Sequence, residues 1–83
     1  MPRYYADLHS HSTASDGSDP PARVVERARE RGLHVLALTD HDTVAGVAEA
    51  REAGKRHGIQ VIAGTELTCY IGCVPLLLAV VGI

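Results

Sequence analysis

The 83-residue sequence contains no tryptophan and no phenylalanine, and Tyr4, Tyr5 and Tyr70 are its whole aromatic complement. Stacking platforms for single-stranded nucleic acid are therefore nearly absent. Basic charge is not in excess either: eight Lys and Arg stand against ten Asp and Glu, a formal net charge of −2. That balance argues against a protein held to a phosphate backbone by a basic patch, and no duplex DNA binding is expected. Cysteine is sparse. Cys69 and Cys73 are too few for a disulfide framework, and their C-x-x-x-C spacing without a second pair is a weak zinc signal. They read as ordinary thiols in a reducing compartment. The opening MPRYYADLHSH lacks the basic-then-apolar layout of a secretory leader, so a cytoplasmic protein is expected. Charge is missing altogether from Leu67 to Ile83, LTCYIGCVPLLLAVVGI. A membrane helix needs about 20 apolar residues, and Gly72 and Pro75 interrupt this run. A buried hairpin or core strand through LLLAVV is expected instead. A chain that stops inside a larger fold would show the same tail.

What is present alternates. RYYADLH reads as a strand through Leu8. DPPARVVERARERG reads as a helix, with Asp19 able to cap it, Pro20 suited to its first position and Gly32 to its end. Val24, Val25 and Ala28 form its apolar stripe. LHVLALTD is a continuous apolar run of strand length, the mark of a strand covered on both faces. DTVAGVAEAREAGKRHG is a second helix, with Asp42 or Thr43 as cap, Val44, Val47 and Ala48 facing inward, and Gly46 and Gly54 as weak points. IQVIAGTEL is a third buried strand. Strand, helix, strand, helix, strand with short links predicts an α/β fold with parallel strands and right-handed crossovers. No repeat, linker or low-complexity segment divides the chain.

The chemistry-bearing residues sit where those strands end. Asp7, His9 and His11 end the first, Asp40 and His41 the second, and Glu66 the third. In a parallel sheet these ends share one edge, the edge on which α/β folds place their sites. Alternation along a strand puts His9 and His11 on one face, where two imidazoles can grip one metal ion. Asp7 shares that parity and is expected to orient a ligand from behind. Asp16, in the following loop, can fold back over the site, and His41 and Glu66 enter from neighbouring strands. Three imidazoles and two carboxylates suit Zn, Mn or Fe better than Mg or Ca. Each residue also has a plainer reading. His-x-His can be an exposed strand pair, Asp16 a turn residue, Asp40 and Asp42 helix caps, and Glu66 an exposed strand end. Their joint placement favours the metal site. His34, on the far edge, and His57, in a last helical turn, read as structural or surface residues.

DLHSHSTASDG, LALTDHDTVAG and VIAGTEL, in that order and at those distances, resemble the first three motifs of the PHP (polymerase and histidinol phosphatase) family, most of all its stand-alone bacterial phosphoesterases. The resemblance covers roughly residues 5 to 67. It implies the N-terminal part of a distorted (β/α)7 barrel carrying two or three divalent metal ions in an intact member. The ligands would be His9, His11, Asp16, His41 and Glu66, the glutamate bridging two ions, with Asp7 and Asp40 supporting them. It implies hydrolysis of phosphate esters of nucleotides or short RNA by a metal-activated water.

The sequence departs from the family beyond Glu66. Leu76 or Leu77 occupies the place of the next expected histidine, and the later histidine and Asp-x-His motifs are absent. Residues 1–83 therefore read as a partial PHP domain, truncated or degenerate, that is incomplete as a catalyst by itself. No Arg or Lys falls in a predicted active-edge loop, so phosphate binding would depend on the metals and on loop amides near Ser15 to Gly17. Open strand edges and the uncharged tail make a homo-oligomer an expectation. The alternatives are a non-catalytic metal-binding PHP-like module, as in polymerase-associated relatives, and a small membrane-associated protein anchored by Leu67 to Ile83.

Overall fold

The computed structural model describes residues 5–72 and 74–82. Its elements are β1 (Ala6–Ser10), α1 (Pro21–Glu30), β2 (Val35–Leu38), α2 (Val47–His57), β3 (Gln60–Ile71) and β4 (Val74–Val81). They form a four-stranded sheet in the order β1-β2-β3-β4. β1, β2 and β3 run parallel, as the alternation of elements requires, and β4 returns antiparallel against β3 as the second arm of a hairpin.

Both helices cover one face of the sheet. The core is Val25 and Ala28 of α1, Leu36 and Leu38 of β2, Val47, Ala50 and Ala53 of α2, and Ile59 with Ala63. Small residues dominate the α2 side of this core, which lets that helix lie close to the sheet. Gly54 shows how close: a Cβ there would sit 2.5 Å from the Ile59 carbonyl oxygen and 2.9 Å from Val61 Cγ2. The nearest atom is backbone and cannot swing away. Gly54→Ala would gain about 1 kcal/mol of helix propensity but meets an overpacking cost of roughly 1–3 kcal/mol. The expected outcome is a lower urea midpoint for Gly54→Ala, against the direction that helix propensity alone dictates.

Both helix starts differ from expectation. α1 begins at Pro21, with Pro20 at the cap position and no side-chain cap bond. The Asp19 carboxylate instead accepts from Arg27 at 2.8 Å. α2 begins only at Val47, again without a side-chain cap. Val44 and Ala48 are exposed, and the inward stripe is Val47, Ala50, Ala53 and Gly54. The reason is tertiary: residues 40–42 are bonded to β3 and cannot also enter the helix. The uncharged tail forms the expected hairpin, but several of its described apolar side chains are not buried. Leu67, Tyr70, Leu78 and Val81 are exposed, because no further layer covers β3 and β4. Among the described residues no helix is long and apolar enough to cross a membrane.

Candidate metal centre

Strict alternation along β1 does not hold. Ala6 and Asp7 stand opposite Val35 and Leu36, but Ser10 stands opposite Leu38, so β1 carries one more residue than its partner between these points. A bulge of this kind reverses side-chain parity. Asp7 pairs opposite Leu36 and lines, together with Leu36 and His11, a cavity against α1. Its carboxylate accepts the His9 backbone N–H at 3.0 Å. Asp7 thus braces the backbone of one ligand, His9, within the bulge.

The His9 and His11 rings lie side by side, with centroids 5.2 Å apart. The chain then turns through residues 12–17. The Ser15 and Gly17 amides, expected as phosphate donors, both point inward to the Ser12 carbonyl, at 3.1 and 2.8 Å. Gly17 permits this tight return, since a Cβ would lie 2.6 Å from the His11 carbonyl oxygen. The loop is fastened by Asp40, which is 1% exposed. Its Oδ1 accepts from the Ser12 N–H at 2.6 Å and the Ser15 hydroxyl at 2.7 Å, and its Oδ2 accepts from the Ser12 hydroxyl at 2.7 Å. Asp40 is therefore no helix cap. The Ser12 and Ser15 hydroxyls carry no expectation from sequence, although the Ser- and Thr-rich run around them is a visible signal. Together these bonds carry Asp16 back over the site.

His41 lies just past the end of β2 and Glu66 inside β3, which runs on to Ile71 and does not end at Glu66 as expected; the two pair as an isolated parallel bridge. Glu66 Oε2 contacts His9 Nε2 and lies 3.1 Å from His11 Nε2. Glu66 Oε1 lies 3.6 Å from His41 Nδ1. Asp16 Oδ1 lies 2.7 Å from His11 Nδ1, and its Oδ2 3.0 Å from His41 Nε2. All five expected residues are thereby brought together. They make two groups able to hold a cation, His9–His11–Glu66 and His11–Asp16–His41, with ligand atoms within 4.8 Å of one another in each. The Glu66 side chain is 6% exposed and that of Asp16 60%, so the cluster has a buried floor and an open rim.

The electrostatics favour ionised carboxylates. Burial pushes the Glu66 carboxyl up, but hydrogen bonds with His11 and His9 and the charge of His41 outweigh it and leave the group below its ordinary value. Asp16 behaves alike: desolvation raises it, and His11 and His41 bring it lower. An anionic pair beside three imidazoles is the state that a divalent cation requires of its ligands.

The family model for the PHP domain matches residues 7–77. The chain belongs to the PHP domain family. Over 64 residues this PHP chain is 55% identical to the phosphoribosyl 1,2-cyclic phosphate 1,2-diphosphodiesterase of Eggerthella lenta, an alignment covering 77% of the chain and 24% of that protein. It is 48% identical over 62 residues to the 3′,5′-nucleoside bisphosphate phosphatase of Chromobacterium violaceum, covering 75% of the chain and 22% of that protein. Among solved structures, a Bifidobacterium adolescentis protein assigned as a metal-dependent phosphoesterase matches with a TM-score of 0.85 and 41% identity, over 94% of this chain and 27% of that one. The PHP chain spans about a quarter of the length of the curated relatives it matches. Its fold is α/β, the N-terminal part of the PHP barrel, and the cluster of histidines and carboxylates supports divalent metal ions as its cofactors.

Outside the cluster, His34 Nδ1 accepts the Tyr5 backbone N–H at 3.1 Å on the opposite edge of the sheet. The His57 carbonyl accepts from Arg29 at 2.5 Å. Cys69 is a half-buried thiol, and Cys73 lies outside the described residues. Leu76 and Leu77, at the place of the missing histidine, stand opposite Cys69 and Thr68 in the hairpin.

Proposed function

We propose that this chain, a partial PHP domain over residues 1–83, carries the first part of the metal-binding rim of a phosphoesterase that hydrolyses small nucleotide-type phosphate esters or short RNA. The observation that carries this reading is the convergence of His9, His11, Asp16, His41 and Glu66 from three sequence-distant segments. His9 Nε2 and His11 Nε2 with Glu66 Oε2 would hold one ion. Asp16 and His41 Nε2, joined by His11 Nδ1, would hold a second, with Glu66 Oε1 against the other ring nitrogen of His41 to orient it. The mixed nitrogen and oxygen donors fit Mn, Zn or Fe. Bound there, such ions would lower the pKa of a coordinated water and neutralise phosphate oxygens.

The chain's own residues supply position and exclusion. Asp40 holds the loop that presents Asp16, Asp7 fastens the backbone N–H of His9, and the sheet shields Glu66 from solvent. The open rim at Asp16 leaves room for a substrate. The names of the relatives support phosphate esters as the substrate class, and the composition supports the cytoplasm as the compartment. Strands and ligands beyond β4 would be needed for full turnover, so the chain alone is expected to bind metal and to turn over weakly.

The test is metal content after loading with Mn, Zn or Fe and gel filtration. The parent chain is expected to retain two ions, and a His9→Ala, His11→Ala double variant to lose at least one of them. Equal metal in both proteins would end the proposal.

A further inference from the structure

Asp42 has a backbone that side chains seldom adopt. Its φ is +52°, and among the described residues it is the non-glycine residue with positive φ. Such a conformation persists where surrounding bonds over-determine it. Here they do. The Asp42 carboxylate accepts the Thr68 backbone N–H through Oδ1 and the Thr68 hydroxyl through Oδ2, both at 2.7 Å. Its own N–H donates to the Glu66 carbonyl at 2.9 Å. On the other side of His41, the Asp40 carbonyl accepts the Glu66 N–H at 2.9 Å and the Thr65 hydroxyl at 2.9 Å.

These bonds act where the regular ladder has stopped. β2 ends at Leu38, and its pairing with β3 ends at Ala63. Past that point the 40–42 segment is fastened to residues 65–68 by the bonds just described. Glu66 is bonded to the residue before His41 and to the residue after it, and Asp42 adds the only side-chain anchor on the far side of Glu66 among the described residues. The His41 ring and the Glu66 carboxylate face each other across this junction at 3.6 Å.

We propose that Asp42 is a positioning residue: by clamping Thr68 it sets the separation of His41 and Glu66, which orients the His41 ring, and so the affinity of the cation position built from His11, Asp16 and His41. This rests on the metal reading given above. It differs from the helix-capping role that the position of Asp42 before α2 implied, because the carboxylate is turned to β3. It also predicts selectivity between the two positions. The His9–His11–Glu66 group draws its geometry from β1 and the body of β3 and does not depend on the clamp.

The experiment is a Mn(II) titration of the full chain followed by calorimetry and electron paramagnetic resonance, with Asp42→Ala, Asp42→Asn and Thr68→Val. Asparagine also tolerates the left-handed region and keeps one acceptor. Asp42→Ala is expected to weaken one of two ions by about 10–100-fold, the range seen for residues that orient ligands, and to leave the other unchanged. Asp42→Asn should restore most of the loss, and Thr68→Val should lie between. Amide hydrogen exchange on the metal-free chain gives an independent reading: the Thr68 and Asp42 amides should lose protection in Asp42→Ala while β2 keeps its own. Both ions bound as in the parent by Asp42→Ala would overturn the proposal. If the parent binds no metal, the metal reading has failed, and unchanged exchange at Thr68 and Asp42 would then overturn the clamp as well. A variant too unstable to titrate is replaced by Thr68→Val, which keeps every backbone donor.

Discussion

Glu66→Gln is expected to cost the protein both of its cations, a larger loss than removal of any one histidine. Glu66 is the residue whose two oxygens face all three imidazoles, Oε2 toward His9 and His11 and Oε1 toward His41. It is also the buried member of the cluster. Glutamine keeps the shape and removes the charge. A neutral amide is a poor ligand for a divalent ion, and it offers a second anionic oxygen to neither position. The His9–His11–Glu66 position should weaken by about 100-fold or more, and the His11–Asp16–His41 position, where Glu66 orients the His41 ring, by about the 10–100-fold typical of residues that orient ligands. His9→Ala should by contrast spare the ion held by His11, Asp16 and His41. The measurement is metal content by elemental analysis, with far-ultraviolet circular dichroism to show that the variant remains folded. Retention of two ions by Glu66→Gln would remove Glu66 from the centre of the site.

Asp40→Ala is expected to have the largest effect on stability. The carboxylate is buried and accepts three bonds, from the Ser12 N–H, the Ser12 hydroxyl and the Ser15 hydroxyl. Ser12 is itself fully buried. Removing the acceptor leaves two Ser12 donors with no access to water. Hydrogen bonds to a charged group contribute about 1.5–3 kcal/mol each, and stranded donors add their own desolvation. The bonds are not independent, so a loss on the order of 3–5 kcal/mol is expected for the site as a whole. In a domain of this size that corresponds to a fall in thermal midpoint of more than about 10 °C. Differential scanning calorimetry of the metal-free chain measures it without reference to the cations. A midpoint within 2–3 °C of the parent, roughly the response to half a kcal/mol, would show that the loop holds its shape by other means. Asp40→Asn keeps one acceptor oxygen and should fall between.

The capping assignments show where local reading fails. Asp19 and Asp42 each precede a helix and each suits a cap by residue type, yet Asp19 is bound to Arg27 and Asp42 to Thr68. A cap is a local, modest interaction, and a charged or doubly hydrogen-bonded partner elsewhere outcompetes it. The parity argument for Asp7 meets a related difficulty: it assumes an unbroken strand, whereas β1 carries one extra residue between Asp7 and Ser10. His9 falls within the irregular stretch and His11 beyond it, and their rings still meet, with centroids 5.2 Å apart. Burial of the tail was misjudged in the opposite sense. Apolar content shows that a surface is fit to be covered, but exposed Leu78 and Val81 show that no layer among the described residues covers that part of it.

Residue order was sufficient for the parallel α/β arrangement, the hairpin and the identity of the five clustered side chains, because periodicity and strand ends are local properties that survive in any compact packing. It could not reveal the bulge, the Ser12–Asp40 network or the Thr68 clamp. Those depend on which donor meets which acceptor across 25 or more positions of chain, and that choice is made by packing geometry and the desolvation of each group, neither of which leaves a spacing to read.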